Sequence, residues 1–324
     1  MREVAEGVYQ IEVPMRQNPL GYTYSYLLKE ASTIIDTGAG SSEGLKGLDD
    51  QMREAGLALN EVKRIIVTHL HGDHVGLVDY VREVSGASVV AHRIAMERQR
   101  EAALASGRLY EDLVKETKLM GAGKHVGLLR SLQGSRRGKP YILEIDELLD
   151  DGDILDLEGS RLRVYWTPGH AREHICLHDE ERRILYAGDH ILPKITPHMS
   201  LHGPDEGDPL GDYLTSLDKL RGLPVRTVLP AHEWIFDDLD GRIDDLKLHH
   251  VNRCNEMKNA LRDGANTVFE VSSVVHWDSR PWAQMSFWTR RMAAAETLAH
   301  LVYMRNKGDV VEELRGEVLH YSVS

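Results

Sequence analysis

Cysteine is scarce: Cys176 and Cys254 are the two in 324 residues, and they stand far apart and outside any CxxC spacing. That excludes a disulfide framework and a thiolate metal site, and a reducing compartment fits best. Positive charge is also in deficit. Lys plus Arg number 39 against 51 Asp plus Glu, a formal charge of −12, so wholesale attachment to phosphate backbones lacks its usual driving force. A local basic patch stays open. No apolar run approaches the ~18 residues of a membrane-spanning helix. The opening Met1-Arg2-Glu3-Val4-Ala5-Glu6-Gly7 carries acids where a signal peptide needs apolar residues. The expectation is a cytoplasmic protein with no membrane association.

What the chain does have is apolar material for a sizeable core and seventeen histidines. Imidazole is the side chain most used as a metal ligand and as a proton carrier near neutral pH. Length predicts one or two domains.

Strand and turn signals fill the first 90 residues: Val8 to Val13, Tyr22 to Lys29, and Ser32 to Asp36 closed by Thr37-Gly38. A helix opens at Ser42-Glu43 and yields near Gly56 to a strand over Val62 to Val67. Residues 93–138, rich in Ala, Leu, Glu, Arg and Lys, read as a helical insertion with a flexible exit at Gly134-Ser135-Arg136-Arg137-Gly138. Strands are expected again at Tyr141 to Ile145, Ile154 to Leu157, Leu162 to Trp166, Ile175 to His178 and Arg183 to Tyr186. From about Gly241 the pattern turns helical and a second domain is expected over 241–324, ending in short strands Val310 to Leu314 and Val318 to Tyr321. Helices followed by a β-hairpin form a winged-helix pattern.

Thr68-His69-Leu70-His71-Gly72-Asp73-His74 places four ligand-type side chains within six residues, directly after a strand. The two-residue period points His69 and His71 the same way, and a turn permitted by Gly72 brings Asp73 and His74 toward a second point. Two ions can then sit side by side. Three further segments each end an apolar run on a ligand-type residue: Trp166-Thr167-Pro168-Gly169-His170, Leu185-Tyr186-Ala187-Gly188-Asp189 and Val228-Leu229-Pro230-Ala231-His232. Nitrogen and carboxylate donors without thiolate suit Zn²⁺ first, with Fe or Mn²⁺ as alternatives.

In these motifs residues 5–240 resemble the metallo-β-lactamase superfamily. The resemblance implies an α/β fold, a four-layer αβ/βα sandwich with its metals at one edge of the sheets. It implies that His69, His71 and His170 hold a first ion, that Asp73, His74 and His232 hold a second, and that Asp189 bridges them. Asp36, in Ile34-Ile35-Asp36-Thr37-Gly38, matches a position that supports the ligands rather than binding metal. An Asp rather than a Cys between the ions makes the site similar to the glyoxalase II, lactonase and ribonuclease branches and unlike true zinc β-lactamases. His71 disfavours the flavodiiron branch.

A hydroxide bridging two cations is a nucleophile at neutral pH, because coordination lowers the pKa of water to around 7. The expected activity is therefore hydrolysis of a small carbonyl ester, a thioester or lactone, with Asp73 a candidate proton relay as well as a ligand. A metal-dependent endoribonuclease of the same superfamily is the alternative; a regulatory module with a structural metal and a redox enzyme rank below both. Specificity is expected in the 93–138 insertion and in the loop Leu192 to Ser200, where Lys194 and His198 are the candidate substrate-binding residues.

Residues 241–324 look like the winged-helix tail of one superfamily subgroup. They carry eleven Lys plus Arg against eleven Asp plus Glu, whereas a groove-reading helix lies on a basic face. The partner expected is thus a small molecule rather than nucleic acid, with the tail packing on the catalytic domain or forming a homodimer.

Overall fold

Adjacent apolar residues in the first half of the chain point in opposite directions, as strand geometry requires. Leu27, Ile34, Ile65 and Val89 enter one buried cluster, while their neighbours Leu28, Ile35, Ile66 and Val90 enter another. A sheet buried on both faces must be covered on both.

These residues lie in β1 (Arg2–Ala5), β2 (Val8–Pro14), β3 (Tyr22–Leu28), β4 (Thr33–Ile35), β5 (Arg64–Ile66), β6 (Ser88–His92) and β7 (Glu147–Leu149), a seven-stranded sheet in that order. Pairing is antiparallel from β1 to β4 and parallel from β4 to β7. The second sheet has five strands, β8 (Ile154–Leu157), β9 (Ser160–Trp166), β10 (Ile175–Asp179), β11 (Ile184–Gly188) and β12 (Thr227–Pro230), in the order β12-β11-β10-β9-β8. Leu162, Val164, Leu177, Tyr186 and Leu229 of this sheet share the second cluster with the first sheet, so the two pack face to face. The first cluster fills the other side with α1 (Ser42–Glu54), through Leu48 and Met52, and α3 (Val78–Ser85), through Val78 and Val81. Each such fully buried side chain contributes ~1.5–3 kcal/mol. Short α2 (Gly72–Val75) lies between β5 and α3.

The structure is a computed structural model describing residues 1–16, 18–104, 109–133, 141–201, 207–278 and 280–324. The basic exit 134–138 expected to be flexible lies outside those residues. Two compact units result: 1–101, 141–197 and 215–243 form the first; 102–140, 198–214 and 244–324 form the second. The second unit thus combines the C-terminal segment from Asp244 with two earlier segments of the chain. α4 (Ile94–Leu104), α5 (Leu109–Leu119) and a 3₁₀ stretch over Gly123–Leu132 account for the expected insertion. α6 (Pro209–Leu220), α7 (Leu239–Arg262), α8 (Val268–Val274), α9 (Phe287–Lys307) and the hairpin β13 (Val310–Arg315) and β14 (Val318–Val323) complete the chain. Thr267 and Glu270 form a reciprocal capping box on α8, and Gly308 ends α9 in the left-handed conformation at φ +80. No helix among the described residues is long and apolar enough to cross a membrane.

One expected strand is absent. Tyr141 to Ile145 has the strand composition, but the main chain at Leu143 pairs with a side chain instead: its N–H donates to Gln99 Oε1 and its carbonyl accepts from Gln99 Nε2. The strand β7 starts only at Glu147.

Candidate metal centre

Every segment singled out for metal binding leaves the C-terminal end of a strand: His69 after β5, His170 after β9, Asp189 after β11 and His232 after β12. The sheets thus bring distant residues to one edge. Ligand-type atoms of His69, His71, His170 and Asp189 form one group, and those of Asp73, His74 and His232 a second; within each, all lie within 4.8 Å of one another.

Hydrogen bonds behind the rings decide which nitrogens face inward. His74 Nδ1 donates to Asp36 Oδ2 at 2.7 Å, and His232 Nδ1 donates to the Tyr22 carbonyl at 3.1 Å. Thr68 Oγ1 donates to Asp36 Oδ2 at 2.7 Å and therefore accepts from His69 Nδ1 at 3.1 Å. The Nε2 lone pairs of all three histidines are left to converge. His69 Nε2 lies 2.9 Å from His71 Nδ1, which lies 3.0 Å from His170 Nε2. Metal–nitrogen bonds of ~2.1 Å at angles between about 90° and 109° would hold neighbouring donors roughly 2.9–3.4 Å apart. His74 Nε2 and Asp189 Oδ1 are buried and face each other at 3.4 Å without forming a well-directed hydrogen bond. Such orphaned atoms are costly unless a cation meets them, and the donor chemistry fits a divalent ion.

Electrostatics agree. Burial drives His69 and His71 below the ordinary histidine range, keeping both neutral as ligands must be. For His74, burial is outweighed by the carboxylates of Asp189 and Asp36, which pull it well above that range, so a cation bound there would displace a proton from Nε2. The pocket calls for positive charge.

Asp189 stands between the groups. Its Oδ1 is 3.4 Å from His74 Nε2 and 3.3 Å from His232 Nε2, while its Oδ2 is 3.5 Å from His170 Nε2. Asp73 Oδ2 is 3.6 Å from His232 Nε2 and its side chain is a quarter exposed. Asp36 touches neither group's interior; it is a buried acceptor for Thr68 N–H, Thr68 Oγ1 and His74.

The turn at Gly72 differs from the reading of the sequence. Gly72 has no positive φ and a side chain there would meet open space. What redirects Asp73 and His74 is α2 itself, entered through an extended His71 (φ −69, ψ 145). The candidate substrate residues separate. Lys194 is exposed, with its N–H on Glu233 Oε2 and its carbonyl on Arg242. His198 pairs through Nδ1 with Glu296 Oε2 at 2.9 Å inside the second unit. Neither belongs to the two donor groups. Sequence reasoning missed His174 and Glu173, whose Oε1 accepts from Leu70 N–H at 3.2 Å. Both follow His170 within four residues, and no local pattern distinguishes them from loop residues.

Two face-to-face sheets with histidine and aspartate donors gathered at their strand ends define a metal-dependent hydrolase. The model of the Metallo-beta-lactamase superfamily matches residues 18–232, and the chain belongs to that superfamily. It is similar to a solved metallo-beta-lactamase family protein from Thermus thermophilus, 32% identical with a TM-score of 0.78, covering 99% of this chain and 100% of that one. By sequence it is 29% identical to "Probable metallo-hydrolase YqjP" of Bacillus subtilis, over 82% of this chain and 84% of that protein. It is also 29% identical to "Acyl-coenzyme A thioesterase MBLAC2" of Bos taurus, over 63% and 69%.

Proposed function

We propose that this chain is a two-metal hydrolase of acyl thioesters, with zinc the ion best suited to its donors. The observation that carries the proposal is Asp189, one carboxylate whose two oxygens face two separate donor groups. Divalent cations held there would polarise a carbonyl and supply hydroxide at neutral pH. The chain's own residues do the rest. His69, His71 and His170 would hold the first ion, Asp73, His74 and His232 the second, and Asp36 would keep His74 turned inward. Asp73, partly exposed, would relay the proton released by the attacking water to the departing thiolate or to solvent.

The choice of a thioester over a lactone leans on the likeness to a protein named as an acyl-coenzyme A thioesterase. The small-molecule reading has support in α9, whose arginines are used internally. Arg291 is buried against Glu116 Oε2 at 2.7 Å, Arg305 pairs with Glu312 at 2.9 Å, and Arg290 donates to the Trp282 carbonyl. A helix spending its cations this way has little to offer phosphates. The four-layer sandwich, the glyoxalase II-like branch and the winged-helix-like assignment of 241–324 belong to the same proposal. The order α8, α9, β13-β14 supports the last of these.

A panel of acyl-CoA, acyl-glutathione and lactone substrates, offered to protein loaded with Zn²⁺, tests the activity. Thioester turnover that disappears in His170→Ala is expected. Silence on every thioester, with cleavage of unstructured RNA instead, would hand the site to the endoribonuclease reading.

A further inference from the structure

We propose that His174 is a positioning residue that fixes the aim of the Asp189 carboxylate and so sets how tightly the two donor groups hold metal; the inference rests on reading those groups as a two-metal site. His174 is fully buried just before β10 and lies outside both groups. Its Nε2 accepts the backbone N–H of Asp189 at 3.2 Å, so the ring proton sits on Nδ1, which donates to Thr167 Oγ1 at 2.8 Å. Both nitrogens are committed and one tautomer is selected. The ring stands 5.1 Å from that of His69, between two ligand segments.

The main chain around His174 joins the same segments. Thr167 N–H donates to the His174 carbonyl at 2.9 Å, and Ile175 N–H donates to the Thr68 carbonyl at 3.0 Å. The end of β5, which leads to His69, is thereby tied to the residues flanking His170.

Space for the contact is reserved by the residue preceding Asp189. Gly188 has φ +50, and a Cβ there would come within 2.6 Å of His174 Nε2. A side chain at this position would be strained and would also displace the imidazole from the N–H it holds. Because Oδ1 of Asp189 faces His74 and His232 while Oδ2 faces His170, a small rotation of this peptide takes one oxygen off its group. Groups that orient metal ligands in this way cost ~10–100-fold in affinity or activity when lost.

The test compares His174→Leu, His174→Gln and Thr167→Val by Zn²⁺ competition against a chromophoric chelator and by the visible spectrum of the Co²⁺ form. Glutamine can bring Oε1 near the position of Nε2 and accept the Asp189 N–H; leucine cannot. The expected result is a loss of roughly 10–100-fold in Zn²⁺ affinity and an altered Co²⁺ spectrum for leucine, largely restored by glutamine. Should the leucine variant fail to fold, Thr167→Val, which removes the Nδ1 partner while keeping the shape, is expected to show a loss of about tenfold. Wild-type affinity and spectrum in a folded leucine or valine variant, or glutamine as weak as leucine, would overturn the proposal. Wild-type protein that takes up no Zn²⁺ would instead overturn the two-metal reading beneath it.

Discussion

Asp36 sits at φ +55, a left-handed conformation that aspartate tolerates better than most residues but that still has to be held in place. Three hydrogen bonds hold its carboxylate, and the same three orient Thr68 and His74. Asp36→Asn changes one oxygen to an amide that donates. Facing His74 Nδ1, that amide favours the tautomer with its proton on Nε2, where a metal would bind. Zn²⁺ affinity is expected to fall ~10–100-fold, read by chelator competition; an unchanged constant would mean that Asp36 serves only the turn. Residues of this kind were half legible in the sequence. His69, His71, Asp73 and His74 announce themselves because they are neighbours in the chain. His174 does not, because its partner is a backbone N–H fifteen residues away, and main-chain donors leave no trace in residue identity.

The elements depend on close approach as much as on pattern. α2 is docked on the loop after β4: Thr37 N–H donates to the His74 carbonyl at 2.8 Å, and Thr37 Oγ1 accepts from Leu77 N–H at 3.2 Å. Gly76 follows α2 with an ordinary φ of −62, so nothing in its own conformation demands glycine. The contact does, since a Cβ would lie 2.1 Å from Gly40 N. Gly76→Ala is expected to push α2 off the loop, destabilising the fold by about 1–3 kcal/mol in urea titration and weakening metal binding at His74. Equal stability would show that the loop yields freely. The sheet strands were largely readable, because alternating apolar residues such as Leu27 and Leu28 must be buried on two faces. Tyr141 to Ile145 carries the same signal and is not a strand, since Gln99 satisfies the Leu143 backbone in place of a ladder. A side chain that substitutes for a neighbouring strand is invisible to periodicity. Helix α3 went unread for the opposite reason: at eight residues it spans little more than two turns, too few for a helical period to stand out.

Acid stability of the folded chain should respond to a group remote in sequence from the metal motifs. Burial raises the Glu296 carboxyl, but the hydrogen bond and charge of His198 outweigh it and leave its pKa below the ordinary glutamate value. A carboxylate depressed in the folded state stabilises above its unfolded pKa of ~4.3, and that contribution is lost as pH falls through the folded value. Glu296→Gln should therefore lower Tm at neutral pH and narrow its gap from wild type on acidification below about pH 4. A gap constant across that range would show that the pair adds nothing.

Whether one folded chain holds two cations through a shared Asp189 can be read by native mass spectrometry of the metal-free protein titrated with Zn²⁺. Two ions per chain are predicted for the wild type, with Asp189→Asn unable to retain the pair at the same free metal. A folded wild-type chain that saturates at one ion, or binds none, would contradict the shared-carboxylate site.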